Sequence, residues 1–215
     1  FGPLDDVRVL YSAVEIAAPT AAEIMSEWGA DVTWIENMWT GDSMRDTTWT
    51  KEMERRNQRS ISMNPFTDEG KEILCRLVKE ADIFIESSKG PAFARKGITD
   101  EMLWEANPSL VIVHVSGFGQ WGDPAVVNAA AYDLTVAAYA GIIAQNGTPE
   151  QPMNIAPYSG DYFNSLMIVS SALAALHKAK ATGKGESIDL AMYETLLRVG
   201  TYYMMDYLNA GTTYP

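Results

Sequence analysis

The chain has 215 residues, of which 47% are apolar and 20% are charged, so it can bury a core and is not a disordered segment. Lysine and arginine number 16 against 28 aspartate and glutamate, and the net charge of -12 argues against a general nucleic-acid partner. We expect one large domain, or part of one, in which an anionic ligand needs a local basic pocket.

The first part of the chain predicts a strand, a helix and a second strand. Residues 7–11 are rich in β-forming side chains, and residues 18–28 place Ala, Met and Trp at helical spacing. Gly29 is suited to end that helix, and residues 31–36 predict the second strand. A crossover of this length joins strands that pair in parallel.

The alternation of strands and helices continues along the chain. Further strands are predicted at 61–63, 81–86, 110–115 and 187–190, and further helices at 67–79, 99–105, 129–144, 165–181 and 192–209. This pattern predicts an α/β fold, with a Rossmann-like parallel sheet flanked by helices. The loops at 87–91, 116–124 and 146–160 are the expected functional rims.

Cysteine content and apolar runs indicate the compartment. The single cysteine, Cys75, excludes an internal disulfide and favours a reducing environment, so we expect a cytoplasmic protein. The first residues do not resemble a signal peptide, and no apolar run reaches the roughly 18 residues of a spanning helix. A soluble protein without a membrane partner is expected. Because the chain begins at Phe1 and stops at Pro215, both ends look like cuts in a longer chain.

Several common catalytic motifs are absent from the sequence or from the position where their chemistry requires them. The first βα turn lacks G-x-G-x-x-G, and no G-x-x-x-x-G-K-S/T occurs. There is no H-E-x-x-H or C-x-x-C, and His114 and His177 are far apart, so no metal site is predicted. Ser116 follows a strand, but no G-x-S-x-G surrounds it. We interpret residues 116–119 as a glycine-rich turn at the carboxyl end of a strand, where ligands dock.

Two basic segments stand out against the acidic background. The first contains Lys51, Arg55, Arg56 and Arg59, and the second contains Lys89, Arg95 and Lys96. Either segment can be a solvated face. The second is the better candidate for a phosphate clamp, because residues 87–91 follow the end of a strand.

Asp161 lies between Gly160 and two aromatic residues, close to the start of a helix. It can be the N-cap of that helix, a role that Asp often fills. It can also be a nucleophile held against aromatic walls. In that case partial desolvation raises its nucleophilicity, and the helix N-terminus limits the rise in its pKa. These residues alone leave both interpretations open.

Several segments together resemble the class III (CaiB/BaiF) CoA-transferase family. They are Gly2-Pro3-Leu4 with the strand at 7–10, Glu27–Val32, Arg55-Arg56-Asn57, Lys89–Glu101, Ser116–Gln120, Ala174–Lys178 and Thr182–Asp189. The resemblance runs from residue 1 to 215. Since family members are roughly twice as long, it implies that only an amino-terminal half is present.

The resemblance implies an activity and its residues. It implies transfer of coenzyme A between an acyl-CoA and a betaine-type carboxylic acid: carnitine, γ-butyrobetaine or crotonobetaine. Asp161 matches the family nucleophile, and Lys89 and Lys96, with Arg95 beside them, match its CoA contacts. No cofactor is implied, because the CoA thioester is a substrate. Four aromatic residues near the proposed site could hold a trimethylammonium group: Trp121, Tyr158, Tyr162 and Phe163.

The resemblance also implies an architecture. Residues 1–190 correspond to the large Rossmann-like domain, and residues 191–215 to a helix and the start of a linker toward a small domain. Two ring-shaped subunits are expected to interlock as a homodimer. The aromatic- and Met-rich helix predicted at 192–209 then needs a partner surface.

Two alternatives remain open at this point. One is an α-methylacyl-CoA racemase-like enzyme, which abstracts a proton and could use His114 and Asp161 as acid and base. The other is a non-catalytic CoA-binding subunit that keeps the fold without turnover.

Overall fold

The computed structural model describes residues 2–46 and 53–213. Its strands are β1 (Arg8–Ser12), β2 (Asp31–Glu36), β3 (Arg59–Ser62), β4 (Ile83–Ser87), β5 (Val111–Ser116), β6 (Gly147–Thr148), β7 (Gln151–Pro152) and β8 (Ser187–Ala191). Its helices include α1 (Ala17–Glu27), α2 (Asp68–Val78), α3 (Ala92–Arg95), α4 (Asp100–Ala106), α5 (Pro124–Val127), α6 (Asp133–Tyr139), α7 (Ser159–Thr182), α8 (Met192–Val199) and α9 (Thr201–Ala210).

Six strands form a parallel sheet in the order β3-β2-β1-β4-β5-β8. Leu10 of the central strand β1 pairs with Thr33 of β2 on one side and with Phe84 of β4 on the other. The chain builds outward from β1 through β2 to β3, then returns to add β4 on the opposite side. In such sheets ligands bind beyond the strand ends where this reversal occurs, which here lies between β1 and β4. The predicted α/β class and parallel sheet are confirmed.

Both faces of the sheet are covered. In β5, Val111, Val113 and Val115 point into a core that contains residues of α1, α7 and α8, whereas Ile112 belongs to a second core on the opposite face. The second core is completed by side chains of α2 and α4, among them Leu74 and Leu103. The continuous apolar run of β5 is therefore explained by burial on both sides.

Local sequence signals place several helix starts correctly. The hydroxyl of Thr67 accepts a hydrogen bond from the Gly70 N–H at 3.0 Å, and that of Thr99 accepts one from the Met102 N–H at 3.3 Å. Each cap satisfies an amide that the first turn of a helix leaves unpaired. The predicted helices at 67–79 and 99–105 are accordingly found within one residue of their expected bounds.

Two of the predicted helices are shortened or interrupted in the structure. Residues 129–132 are not helical, and helix α6 begins only at Asp133; a Cβ at Gly117 would collide with Ala131, so this glycine admits the non-helical segment. The predicted helix at 192–209 is divided at Gly200, whose backbone leaves helical geometry at ψ 14°. Helices α3 and α5 and the β6–β7 hairpin were not predicted.

The two carboxyl-terminal helices pack differently. Helix α8 places Met192, Thr195 and Leu196 in the interior, next to α7. Helix α9 has no buried residue, and its Tyr202 is 85% exposed. The division of the chain at residue 190 stays a prediction. Within residues 2–46 and 53–213, no helix has both the length and the hydropathy needed to cross a membrane.

Candidate active site

A cavity of about 820 Å³ opens at the carboxyl ends of β1, β4 and β5. Its wall is built from residues 14–18, 87–89, 116–117, 129–134 and 154–158, together with Asp161 and Met192. All three loops that the sequence indicated as functional rims contribute to it. The cavity lies where the strand order reverses, the place at which open α/β sheets bind ligands.

Asp161 lies in the first turn of α7, because that helix begins at Ser159 rather than at the predicted residue 165. The N-cap position is Tyr158, which has left-handed backbone geometry with φ 58° and offers no side-chain cap. The interpretation of Asp161 as the N-cap is therefore wrong. Its side chain is half-buried and lines the cavity instead.

The capping role belongs to Asp133, the first residue of α6. Its Oδ1 accepts hydrogen bonds from the N–H groups of Gly160 at 2.6 Å and Asp161 at 3.2 Å. Its Oδ2 accepts one from Nδ2 of Asn154 at 2.8 Å. Asp133 is only 8% exposed, so a buried carboxylate from a distant part of the sequence closes the start of α7.

The carboxylate of Asp161 has unusual surroundings. In the parts of the chain that the structure describes, no hydrogen-bond donor reaches its carboxylate oxygens; its backbone N–H donates to Asp133 and its backbone carbonyl accepts from the Ser165 hydroxyl. Burial, together with the negative charges of Asp133, Glu15 and Glu54, raises its pKa to about 7. The helix N-terminus therefore does not hold the pKa low, since Asp133 already occupies the amides of Gly160 and Asp161.

Glu15 brings a second carboxylate to the cavity from the β1–α1 turn. Its backbone has φ 64°, a conformation that is strained for a non-glycine residue. Asp42 holds this turn by accepting the Glu15 N–H at 3.3 and 3.2 Å, and the Ser43 hydroxyl donates to Glu15 Oε1 at 2.6 Å. The arrangement fixes the direction of the Glu15 side chain.

The arginines of the first basic segment form ion pairs with carboxylates of the same chain. Arg55 forms a buried ion pair with Asp42 and stacks over Trp34, 4.6 Å from its ring centroid. Arg56 pairs with Glu23 and Glu27, and Arg59 with Asp31. Lys51 lies outside the described residues. Arg55 is thus held in the interior, whereas the side chains of Arg56 and Arg59 are 52% and 69% exposed, as a solvated face predicts.

The three basic residues of the second segment have different surroundings in the structure. Lys89 lines the cavity together with Asp161. Arg95 lies outside the cavity wall and donates to the backbone carbonyl of Lys89 at 3.3 Å. Lys96, also outside the wall, places its ammonium 4.0 Å from the centroid of the Phe66 ring. The structure therefore places one of the three predicted CoA contacts in the cavity that Asp161 lines.

The aromatic candidates are also separated. Tyr158 lines the cavity, whereas the Tyr162 hydroxyl donates to buried Glu54 at 3.3 Å and Phe163 packs against the core. Trp121 is 82% exposed and does not line the cavity. Tyr132, which the sequence reasoning missed, is part of the wall.

His114 does not act with Asp161. It lies on β5 between Val113 and Val115, so it points to the face opposite to the one against which α7 packs. Its ring nitrogens lie 2.7 Å from Glu86 Oε1 and 2.9 Å from Asp100 Oδ1, and it is not in the cavity wall. The acid–base pair that the racemase alternative required is absent from the described structure.

Sequence reasoning missed Asp133, Asn154, Glu15 and Glu54. One signal was available for Asp133: Gly160 directly precedes Asp161 in a helix start, and a glycine there allows another group to approach the backbone closely. No local pattern indicated which side chain would make that approach.

Comparison with known proteins agrees with this arrangement. Residues 4–215 match the family model described as CoA-transferase family III.

The chain belongs to CoA-transferase family III.

Among curated proteins, this family member is 53% identical over 215 residues to the L-carnitine CoA-transferases of Proteus mirabilis and of a second Proteus strain. All of this chain aligns with 53% of each relative, so it spans about half the length of the curated relatives it matches. The resemblance inferred from the sequence segments is confirmed.

Solved structures show the same fold. A CaiB/BaiF family protein from Brucella suis is 32% identical, with a TM-score of 0.88 over 99% of this chain and 59% of its own. A protein from M. tuberculosis is 26% identical, with a TM-score of 0.87 over 97% of this chain and 58% of its own. The Rossmann-like sheet flanked by helices is thus the fold of this part of a family III protein.

Proposed function

We propose that the full-length protein transfers CoA from an acyl-CoA to a small carboxylic acid and that Asp161 is the nucleophile. The observation that carries this proposal is a half-buried carboxylate that accepts no hydrogen bond from residues 2–46 and 53–213, set in the wall of a cavity of about 820 Å³ that Lys89 also lines. Such a carboxylate is less stabilised than one paired with donors and is therefore a better nucleophile.

The proposed reaction is a series of acyl transfers. An Asp161 oxygen attacks the thioester carbonyl and expels CoA thiolate, which leaves a mixed anhydride. The thiolate attacks the Asp161 carbonyl, forming an aspartyl-CoA thioester and releasing the first carboxylate. The incoming carboxylate attacks this thioester, expels CoA thiolate and forms a second mixed anhydride. The thiolate then takes the new acyl group and frees Asp161. Each bond broken is replaced by one of similar kind, so the cycle needs no added energy source.

For the acceptor we propose a betaine-type carboxylate such as carnitine, γ-butyrobetaine or crotonobetaine. Glu15, Asp133 and Glu54 raise the Asp161 pKa through their negative charge, and such a field favours a cationic substrate. Tyr132 and Tyr158 offer aromatic faces in the same cavity for a trimethylammonium group. The name of the Proteus relatives, L-carnitine CoA-transferase, supports the same class.

The proposal extends to the assembly. The CoA thioester is a substrate, and no resident cofactor is included. An interlocked homodimer in the cytoplasm remains our prediction for the full-length protein, and the exposed aromatic face of α9 is consistent with a further protein surface covering it.

Mass spectrometry tests the proposed intermediate. Full-length protein incubated with an acyl-CoA and digested at low pH should yield a peptide containing Asp161 with the added mass of CoA less water. Hydroxylamine should remove this mass and leave a hydroxamate. If CoA binds but the peptide never gains mass, the protein is a CoA-binding subunit and the proposal is wrong.

The proposed nucleophile predicts a pH dependence for the first acyl transfer. Only the ionised carboxylate attacks, and its pKa is raised to about 7, so the single-turnover rate should rise with pH and level off above pH 8. At pH 6 the rate should be roughly tenfold below the plateau. Rapid-quench measurement of the adduct from pH 5 to 9 checks this. An acid limb centred near pH 4 would contradict it.

The proposed role of Lys89 predicts a substrate-binding defect. Lys89→Ala in the full-length protein should raise KM for acyl-CoA roughly tenfold or more and change kcat little, because a charge-assisted contact to a phosphate is lost. Lys96→Ala should have a smaller effect, since its ammonium lies over the Phe66 ring outside the cavity. The control is Lys79→Ala, an exposed lysine beyond the end of α2. Equal KM values for Lys89→Ala and Lys79→Ala would contradict the assignment.

A further inference from the structure

The contacts of Asp133 account for both of its oxygens. Oδ1 binds the Gly160 and Asp161 amides at 2.6 and 3.2 Å, and Oδ2 binds Asn154 at 2.8 Å. Asn154 is itself oriented, since its Oδ1 accepts the Ile155 N–H at 3.0 Å and the Ser159 hydroxyl at 3.2 Å. A closed network therefore joins α6, the segment before α7 and the first turn of α7.

We propose that Asp133 is a positioning residue for the transfer reaction, which holds Asp161 in the cavity wall and keeps its carboxylate free of the helix amides. The inference rests on the proposed role of Asp161 as the nucleophile. Amides at a helix N-terminus normally bind and stabilise nearby anions. Because the N–H groups of Gly160 and Asp161 donate to Asp133, they are not available to stabilise the carboxylate of Asp161.

The absence of a side chain at Gly160 allows Asp133 to approach the backbone of α7 closely. A Cβ at this position would lie 2.7 Å from Asp133 Oδ1 and 3.2 Å from Leu196 Cδ1. Any larger residue would displace either the carboxylate or α8. The glycine next to Asp161 is thus explained by the approach of Asp133 rather than by backbone conformation.

The charge of Asp133 acts on Asp161 together with that of its neighbours. Glu15 faces Asp161 from the β1–α1 turn, and Glu54 does so beside the Tyr162 hydroxyl. Lys89 contributes a cation to the cavity wall, and Tyr158 also lines it. Of these groups, Asp133 is the one that touches the backbone of Asp161, so it controls both the position of the nucleophile and its electrostatic environment.

The test is Asp133→Asn in the full-length protein, measured by the pH dependence of single-turnover adduct formation. The amide oxygen of Asn can still accept from Gly160 and Asp161, whereas the charge is lost. The acid limb should therefore move about half to one pH unit lower. The plateau should fall about threefold for each unit, because nucleophilicity decreases with basicity.

A matched control separates this role from a structural one. Asp123→Asn makes the same change at an exposed carboxylate that caps α5 through the Ala125 N–H at 2.9 Å, outside the cavity wall. It should leave the pH profile unchanged. A purely structural role for Asp133 predicts a lower rate at every pH with an unmoved acid limb, and that result would overturn the inference.

A second variant keeps the test independent of folding. In Asp133→Asn the new amide faces Nδ2 of Asn154, so the double variant Asp133→Asn with Asn154→Asp restores the hydrogen bond with reversed polarity. The acid limb of the double variant should also move to lower pH, because the side chain that accepts from the first amides of α7 is no longer charged. Absence of any adduct in the wild type would refute the proposed function instead, so the two failures are distinguishable.

Discussion

Asp161→Asn in the full-length protein is expected to abolish CoA transfer while making the fold more stable. The variant keeps the size and polarity of the side chain but removes the proposed nucleophile, and losses on removing a nucleophile can reach roughly 10⁴-fold or more in kcat. No mass should appear on the peptide that contains residue 161. Transfer at the wild-type rate would disprove the assignment.

The sign of the stability change follows from the pKa. In the unfolded chain the carboxyl ionises near 3.8, whereas in the folded protein its pKa is about 7, so the folded state binds more protons in between. The free energy of unfolding of the protein therefore falls as pH rises from about 4 to 7, and it stays low above pH 7. Asn removes this cost, a gain of up to about 4 kcal/mol at pH 8, since each pKa unit corresponds to about 1.4 kcal/mol.

Asp68 provides the matched control. It also lies in the first turn of a helix, α2, but it is exposed. Asp68→Asn should lower stability by about 0.5 kcal/mol, because an exposed first-turn carboxylate is favoured by the helix dipole. Chemical denaturation at pH 5 and pH 8 measures both changes in the free energy of unfolding, which should be positive for Asp161→Asn and negative for Asp68→Asn. A destabilised Asp161→Asn would show that the carboxylate is held by favourable contacts, contrary to the surroundings described here.

His114→Leu is expected to destabilise the protein by about 3–5 kcal/mol at pH 7, because it leaves the carboxylate of Glu86 without its cation in the interior. Glu86 is fully buried, and its other oxygen accepts from the Ser88 hydroxyl at 2.6 Å. The same substitution at exposed His177 should change stability by less than about 0.5 kcal/mol. Replacing Glu86 by Leu as well should recover part of the loss, since the unpaired charge is removed.

The contribution of His114 depends on pH in a defined direction. Burial alone lowers its pKa, but hydrogen bonds and charge from Asp100 and Glu86 outweigh burial and raise the pKa to about 10. Because the pKa of His114 is higher in the folded protein, protonated His114 stabilises the fold fully below its unfolded pKa of 6.5. This stabilisation is lost as pH rises through about 10. The difference between wild type and His114→Leu should therefore be largest near pH 6. A difference that is constant up to pH 10.5 would show that His114 contributes by packing alone.

Local patterns were sufficient for most of the fold. The apolar run at 110–115 predicted strand β5, and the helices predicted at 67–79 and 99–105 lie within one residue of their expected bounds. They were insufficient where distant contacts override helical propensity. The alanine-rich residues before Asp133 leave the helix where Ala131 packs on Gly117, and Gly200 divides the predicted helix at 192–209.

The sequence by itself determined the α/β class, the resemblance to family III and the two residues, Asp161 and Lys89, that meet in one cavity. The tertiary structure decided the surroundings of Asp161 in that cavity. Its carboxylate lines the cavity and accepts no hydrogen bond from the described part of the chain, whereas Asp133, 28 residues earlier, binds the amides of Gly160 and Asp161. Likewise, Arg55 is held by Asp42 and His114 by Glu86 and Asp100. Pairs of this kind follow from the packing of separate elements, and periodicity and capping patterns, which act over a few residues, carry no information about them.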